Sequence, residues 1–404
     1  MKINRLSYCN KRTGWNLDNL MLKDLNLLVG ASGVGKTRIL RAILSLKKIA
    51  GGKSINGAEW TVEFNHNGKE YRWDGKFDAV ETSDDLILDA DSPKVTFVKE
   101  RLICDGEVLI ERTTDSLLYK GEKTVKLDAS ASALKLLNEE EPIRPVYEAF
   151  EHVYELGNDY MGVRILPYLV EESDKFDSKA KISKIRNLSP IAKLYLLKQH
   201  VPDSFNKIRE DFIQLFNNVE DIDFALGAFF NGKTFPILRI KERGVDCWIP
   251  QNDISAGMRR CLSEIISLHL ADDGDVILVD EFENSLGVNC IDVMADSILY
   301  PEADIQFIIT SHHPYIINSI PSTAWKIVTR NGSEVKTSDA GDLGIDIHSK
   351  HDAFMQLMQN SVDETRTLKE KGLGMIPKGK TLLEAFEILD HFQEIGRASC
   401  RERV

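Results

Sequence analysis

Three features of the sequence predict an α/β fold organised around a phosphate-binding loop. The first is Leu25-Asn-Leu-Leu-Val29, an apolar run that leads into Gly30-Ala31-Ser32-Gly33-Val34-Gly35-Lys36-Thr37. A helical pattern follows from Thr37 to Lys48, with Ile39, Leu40, Ile43 and Leu44 as its apolar stripe. The second is Asp275-Val-Ile-Leu-Val-Asp280-Glu281, an apolar run ending in two adjacent carboxylates. The third is Gln306-Phe-Ile-Ile-Thr310-Ser311-His312-His313, an apolar run ending in polar residues beside a histidine. Short, continuously apolar runs of this kind fit buried strands.

The loop from Gly30 to Thr37 fits G-x-x-x-x-G-K-[ST] and has the required strand before it and helix after it. Gly30, Gly33 and Gly35 leave room for backbone N–H groups to wrap a polyphosphate, and the helix start adds partial positive charge. Lys36 is then expected to reach the β and γ phosphates, with the Thr37 hydroxyl as a Mg²⁺ ligand. At the end of the second run, Asp280 can hold Mg²⁺ and its waters while Glu281 orients and deprotonates an attacking water. His312, one strand further on, is placed for a γ-phosphate contact.

The remaining elements follow in order. Lys2 to Tyr8 alternates like a strand that opens the sheet. Residues 58–128 read as short antiparallel strands: Trp60 to Phe64, Tyr71 to Trp73, Val95 to Val98, Leu102-Ile103, Val108 to Ile110 and Thr124 to Leu127. Asn67-Gly68 and Asp105-Gly106 supply hairpin turns. From Ala131 to Asn218 apolar residues recur at helical spacing, which predicts a helical insertion. Within it, Lys175 to Arg209 carries nine Lys or Arg against two Asp, either a solvated helix face or a surface for DNA, RNA or a partner. Strands return over Phe224 to Trp248. Asp253-Ile-Ser255-Ala-Gly257-Met then opens a helix through Leu270, presenting N–H groups and a hydroxyl to an anion.

Composition sets the bounds. The chain has 404 residues, 43% hydrophobic and 28% charged, enough for a sizeable core. No apolar run approaches a membrane span and the N-terminus lacks a secretory core, so a cytoplasmic protein without membrane contact is expected. The six cysteines form no C-x-x-C pair, which argues against zinc and against a disulfide framework. A net charge of −12 gives no global attraction to nucleic acid. The last eleven residues, Glu394 to Val404, resemble a translated sequencing adapter; without them the net charge is −13, and the natural chain is expected to continue differently past Gln393.

The order P-loop, Ile-Ser255-Ala-Gly257-Met, Leu-Val-Asp280-Glu281, Ile-Thr-Ser-His312 resembles the ATP-binding-cassette-type ATPase heads of the SMC, RecF and OLD groups. With Asp280-Glu281-Phe282-Glu283-Asn284-Ser285-Leu286 it is similar to the AAA-family ATPases of OLD or PtuA type in bacterial phage defence. The resemblance implies ATP and Mg²⁺ as ligands, Glu281, His312 and Lys36 as catalytic residues, and Thr37 and Asp280 at the metal. Ser255 and Gly257 would cap the ATP of a partner chain. It further implies a homodimer or a larger even-numbered assembly and an effector, a nuclease or toxin, encoded nearby.

The organisation expected is an N-terminal ATPase lobe over 1–130 and a helical insertion over 131–218. A second ATPase lobe over 219–339, a helical tail over 340–393 and the adapter-like 394–404 complete it. Three departures stand out. Ala256 and Met258 replace the usual Gly and Gln of the signature, Gly287 stands where relatives have Asp or His, and no glutamine can be assigned to a Q-loop. Two rivals share the head motifs: a DNA-maintenance ATPase of SMC or RecF type, and a transporter subunit. The roughly 220 residues between Lys36 and Ser255 disfavour the second.

Overall fold

In the computed structural model the three apolar runs are adjacent parallel strands, and their order builds the site. The structure describes residues 1–80, 94–156, 176–185, 188–228, 234–284 and 288–340. Val276–Val279 pairs in parallel with Gln306–Thr310, which pairs in parallel with Leu25–Val29. Every residue of the first two strands is buried, so no alternation shows in the sequence. Two polar residues interrupt the apolar runs and both are satisfied. Asn26 Nδ2 donates to Phe307 O at 3.1 Å, and Gln306 Nε2 donates to Ile3 O at 2.8 Å while its Oε1 accepts from Ile3 N at 2.9 Å. These amides tie the strand beginnings together and set their register.

The fold is α/β, and its sheet, which mixes parallel and antiparallel pairs, continues on both sides. Val153–Glu155 adds in parallel to Val276–Val279 at one edge. Beyond Leu25–Val29 lie Trp325–Asn331, Glu334–Asp339, Trp15–Met21, Lys2–Asn10, Ala58–His66, Lys69–Phe77, Phe97–Cys104, Glu107–Arg112, Leu117–Tyr119 and Glu122–Lys123. Among the described residues the sheet has 14 strands. The antiparallel region is therefore continuous with the parallel one. Its hairpins turn where the sequence indicated: Asn67 and Gly68 have φ 50° and 74°, Asp105 and Gly106 φ 48° and 86°. Two consecutive left-handed residues match the strand twist.

Helix Lys36–Ala50 covers the sheet with Ile39, Leu40, Ile43, Leu46 and Ile49 buried. Phe150, from helix Arg144–Glu151, meets Trp73 and Phe64 with ring centroids 5.0 and 5.5 Å away, which seats that helix on the antiparallel strands.

Two expectations change. Thr124 to Leu127 is no strand; the last strand on that edge is Glu122–Lys123. The region 131–218 does contain helices, among them Pro190–His200 and Pro202–Leu215, but also Val153–Glu155. A three-residue strand is too short to show alternation, and its partner lies more than 120 positions away. A separate antiparallel sheet of Val219–Ala228, Thr234–Glu242 and Trp248–Pro250 leads through the turn Gln251–Asp253 into helix Ala256–His269. The described residues all fall within one compact unit. The tail and the adapter-like end, from 341 on, lie outside the described residues, as do Gly287, Lys175 and Arg186.

Candidate functional site

The carboxyl ends of the three central strands open on one edge of the sheet, where ligands of open α/β sheets bind. Leu25–Val29 delivers the glycine-rich loop, Val276–Val279 delivers Asp280 and Glu281, and Gln306–Thr310 delivers Ser311 and His312. A cleft of about 440 Å³ lies between them, lined by Lys36, Thr37, Glu281, Thr310 and His312 among others.

The glycines of the loop differ in what they require. A Cβ on Gly30 would fall closer to the Val328 carbonyl oxygen than real side chains come, so the adjoining strand excludes any larger residue. Gly33 and Gly35 have φ 83° and 108°, left-handed geometry open to glycine. Gly35 also caps helix Lys36–Ala50, whose first N–H groups are left for a ligand. The Lys36 ammonium donates to Gly30 O at 2.8 Å and Ala31 O at 3.0 Å. Burial pulls its pKa down to about 8, while the Asp280, Glu283 and Glu281 carboxylates act the other way.

Asp280 Oδ1 accepts from Thr37 Oγ1 at 3.0 Å and from Thr310 Oγ1 at 2.7 Å. Thr310 Oγ1 in turn accepts from Glu281 N at 2.8 Å. One threonine at the end of the central strand thus holds both acids in place. Glu281 sits at φ 47°, an uncommon conformation for a non-glycine residue and one that recurs at functional sites. Its carboxylate is exposed to the cleft, with Asn284 Nδ2 3.5 Å from Oε2. Burial and the neighbouring Lys36 charge lower the His312 pKa, while the Glu283, Glu281 and Asp280 carboxylates act the other way.

A family model described as "AAA domain, putative AbiEii toxin, Type IV TA system" matches residues 25–318. The chain belongs to this AAA family. The match runs from the first residue of the loop strand to the helix after His312. The solved Smc head bound to the C-winged helix domain of ScpA is 14% identical, covering 84% of this chain and 97% of that one, with a TM-score of 0.44. The SMC head domain from Thermotoga maritima is 12% identical, covering 84% and 99%, with a TM-score of 0.38. No curated protein matches. Among the described residues of this AAA protein no helix is long and apolar enough to cross a membrane.

Several residues of the AAA site escaped the sequence reading. Glu283 Oε2 accepts from Ser311 Oγ at 2.7 Å and Oε1 from His312 N at 2.8 Å, which fixes the backbone carrying the imidazole. The Asp-Glu-x-Glu-Asn pattern contains Glu283, but only the fold shows what it faces. Arg330 lines the cleft, and its Nη1 donates to Gly33 O at 3.2 Å. Arg38 and Arg41, on the first two turns of the loop helix, line the cleft as well.

The other expected groups lie elsewhere. Ser255 is exposed, its Oγ accepting from Met258 N at 3.2 Å as the N-cap of Ala256–His269. Neither it nor Gly257 lines the cleft of its own chain. Four cations of the basic stretch form ion pairs among the described residues. Lys181 meets Asp177 at 2.7 Å and Lys207 meets Glu302 at 2.6 Å; Lys198 pairs with Asp223 and Arg209 with Asp221. Three of the partners, Asp221, Asp223 and Glu302, are acids outside the stretch and offset part of the local excess of positive charge read from the sequence.

Proposed function

We propose that the protein is a Mg²⁺-dependent ATPase. It works as a head-to-head dimer, with ATP sandwiched between the loop of one chain and Ser255 and Gly257 of the other, and closure controls an effector in anti-phage defence. The observation that carries the ATPase reading is the Asp280 cluster. Loop hydroxyl, strand-end carboxylate and strand-end threonine converge within hydrogen-bond distance, with Glu281 and His312 facing the same cleft.

The donor set fits magnesium. Thr37 and Asp280 offer a hydroxyl and one carboxylate, and Mg²⁺ favours oxygen ligands, using one or two carboxylates together with waters and substrate phosphates. Among the described residues no cluster of three or more His, Cys, Asp or Glu could hold a metal. Thr37 and Asp280 would hold the ion beside the nucleotide, where it would neutralise phosphate charge. Lys36 and the free N–H groups of the loop helix bind the phosphates. Glu281 orients water and takes its proton, and His312 donates toward the γ-phosphate. Catalysis is then positioning and electrostatic stabilisation. The family description names a toxin, which supports the defence setting.

The test is phosphate release by the purified full chain. Glu281→Gln is expected to retain MgATP binding and lose turnover by roughly 10²-fold or more, the usual scale of general-base contributions. Unchanged turnover in that variant would remove Glu281 from its role. A wild-type chain that neither binds nor hydrolyses MgATP overturns the whole reading.

A further inference from the structure

We infer that Arg38 and Arg41 form an outer phosphate subsite, so that the cleft recognises the length and charge of the phosphate chain. The inference rests on the nucleotide-binding reading above and names what that site selects.

Both residues line the cleft and both are exposed. Neither side chain has an ion pair or a hydrogen bond among the described residues, whereas the other cations lining the cleft, Lys36 and Arg330, are held by backbone carbonyl oxygens. Arg38 and Arg41 are three positions apart on Lys36–Ala50 and so share a face. Helical side chains lean toward the helix N-terminus, which is where the loop gathers phosphate. Lys36 and Thr37 sit at the inner end, beside Asp280. A chain of phosphates running outward from them meets Arg38 first and Arg41 next. Guanidinium forks suit phosphate oxygens bidentately, and unpaired ones are available without breaking an internal bond. Arg330, by contrast, is already engaged by Gly33 O and Gly332 O and holds the loop's outer turn.

The test compares the full wild-type chain with Arg38→Met/Arg41→Met and Arg38→Lys/Arg41→Lys by calorimetric titration. MgATP and inorganic tripolyphosphate are the probes, at low and high salt. The wild type is expected to bind both, more weakly as salt rises. The methionine pair should lose about tenfold or more in affinity for each probe, the scale of one or two charged hydrogen bonds, and should show a flatter salt dependence. The lysine pair, keeping charge but not the fork, should fall between. An unchanged thermal midpoint confirms that the variants fold. If the methionine pair binds MgATP as the wild type does, with the same salt slope, the subsite is refuted while the ATPase reading stands. Arginine-dependent binding of tripolyphosphate without binding of MgATP leaves the subsite and sinks the ATPase reading.

Discussion

Glu283 accepts from both Ser311 Oγ and His312 N, so its carboxylate fixes the loop that carries the imidazole. Glu283→Ala is expected to lower kcat by about tenfold or more with little change in ATP affinity, since geometry at a catalytic group is lost and phosphate binding is not. Glu283→Gln, which keeps one acceptor oxygen, should recover much of the rate; equal losses in kcat and affinity would assign Glu283 a general structural role. The glycines give a second contrast at this scale. Gly30→Ala forces a Cβ into the Val328 carbonyl and must displace a strand, so nucleotide binding should be lost with a marked fall in Tm. Gly33→Ala meets open space and bears only the left-handed penalty, about 1–2 kcal/mol. Thermal midpoints of the pair separate the two causes, and equal losses would contradict them.

Among the elements, the antiparallel strands are joined to the following helices by one buried carboxylate. Glu100 is fully buried; it accepts from Trp73 Nε1 at 3.2 Å and from Ala133 N at 2.8 Å, and its Oε2 lies 3.5 Å from Arg112 Nη1. Arg112, itself buried, also donates to Ala131 O at 2.7 Å. Glu100→Ala leaves this guanidinium uncompensated, for which about 3–5 kcal/mol of lost stability is expected by denaturant unfolding. Replacing both partners with apolar residues should cost less than the single change; a larger loss in the double variant would argue against charge as the cause. This junction was invisible in the sequence, because Glu100 reads as one polar residue of an alternating strand. The central strands were legible for the opposite reason, since burial on both faces writes an unbroken apolar run, and the strand-end residues follow it directly. Val153–Glu155 was not legible, being edge backbone recruited by a partner distant in sequence. Nor was the pairing of the basic stretch, as Asp221, Asp223 and Glu302 come from other elements.

At the scale of the whole molecule, Ser255 is assigned by the proposed dimer to a nucleotide that the cleft of its own chain does not present to it. It stands exposed at the start of a 14-residue helix, away from the cleft lining of its own chain, with its hydroxyl capping Met258 N. A second chain supplying the nucleotide would bring that hydroxyl and the helix N-terminus onto its phosphates. Two chains of net charge −12 repel at long range, so association without nucleotide should be weak at low salt. With MgATP and the Glu281→Gln variant, which is expected to hold the nucleotide unhydrolysed, sedimentation and native mass measurements should show even-numbered assemblies. Ser255→Arg should return the protein to single chains, because a long cation at the seam blocks close approach. Each chain should keep one bound nucleotide, because Lys36, Thr37 and Asp280 are untouched. Raising salt has opposed effects, relieving the repulsion between chains while weakening the phosphate contacts. Assembly at saturating nucleotide should therefore pass through a maximum as salt rises. A strictly monomeric Glu281→Gln variant at micromolar concentration with MgATP bound would exclude the sandwich and leave an ATPase that acts as a single chain.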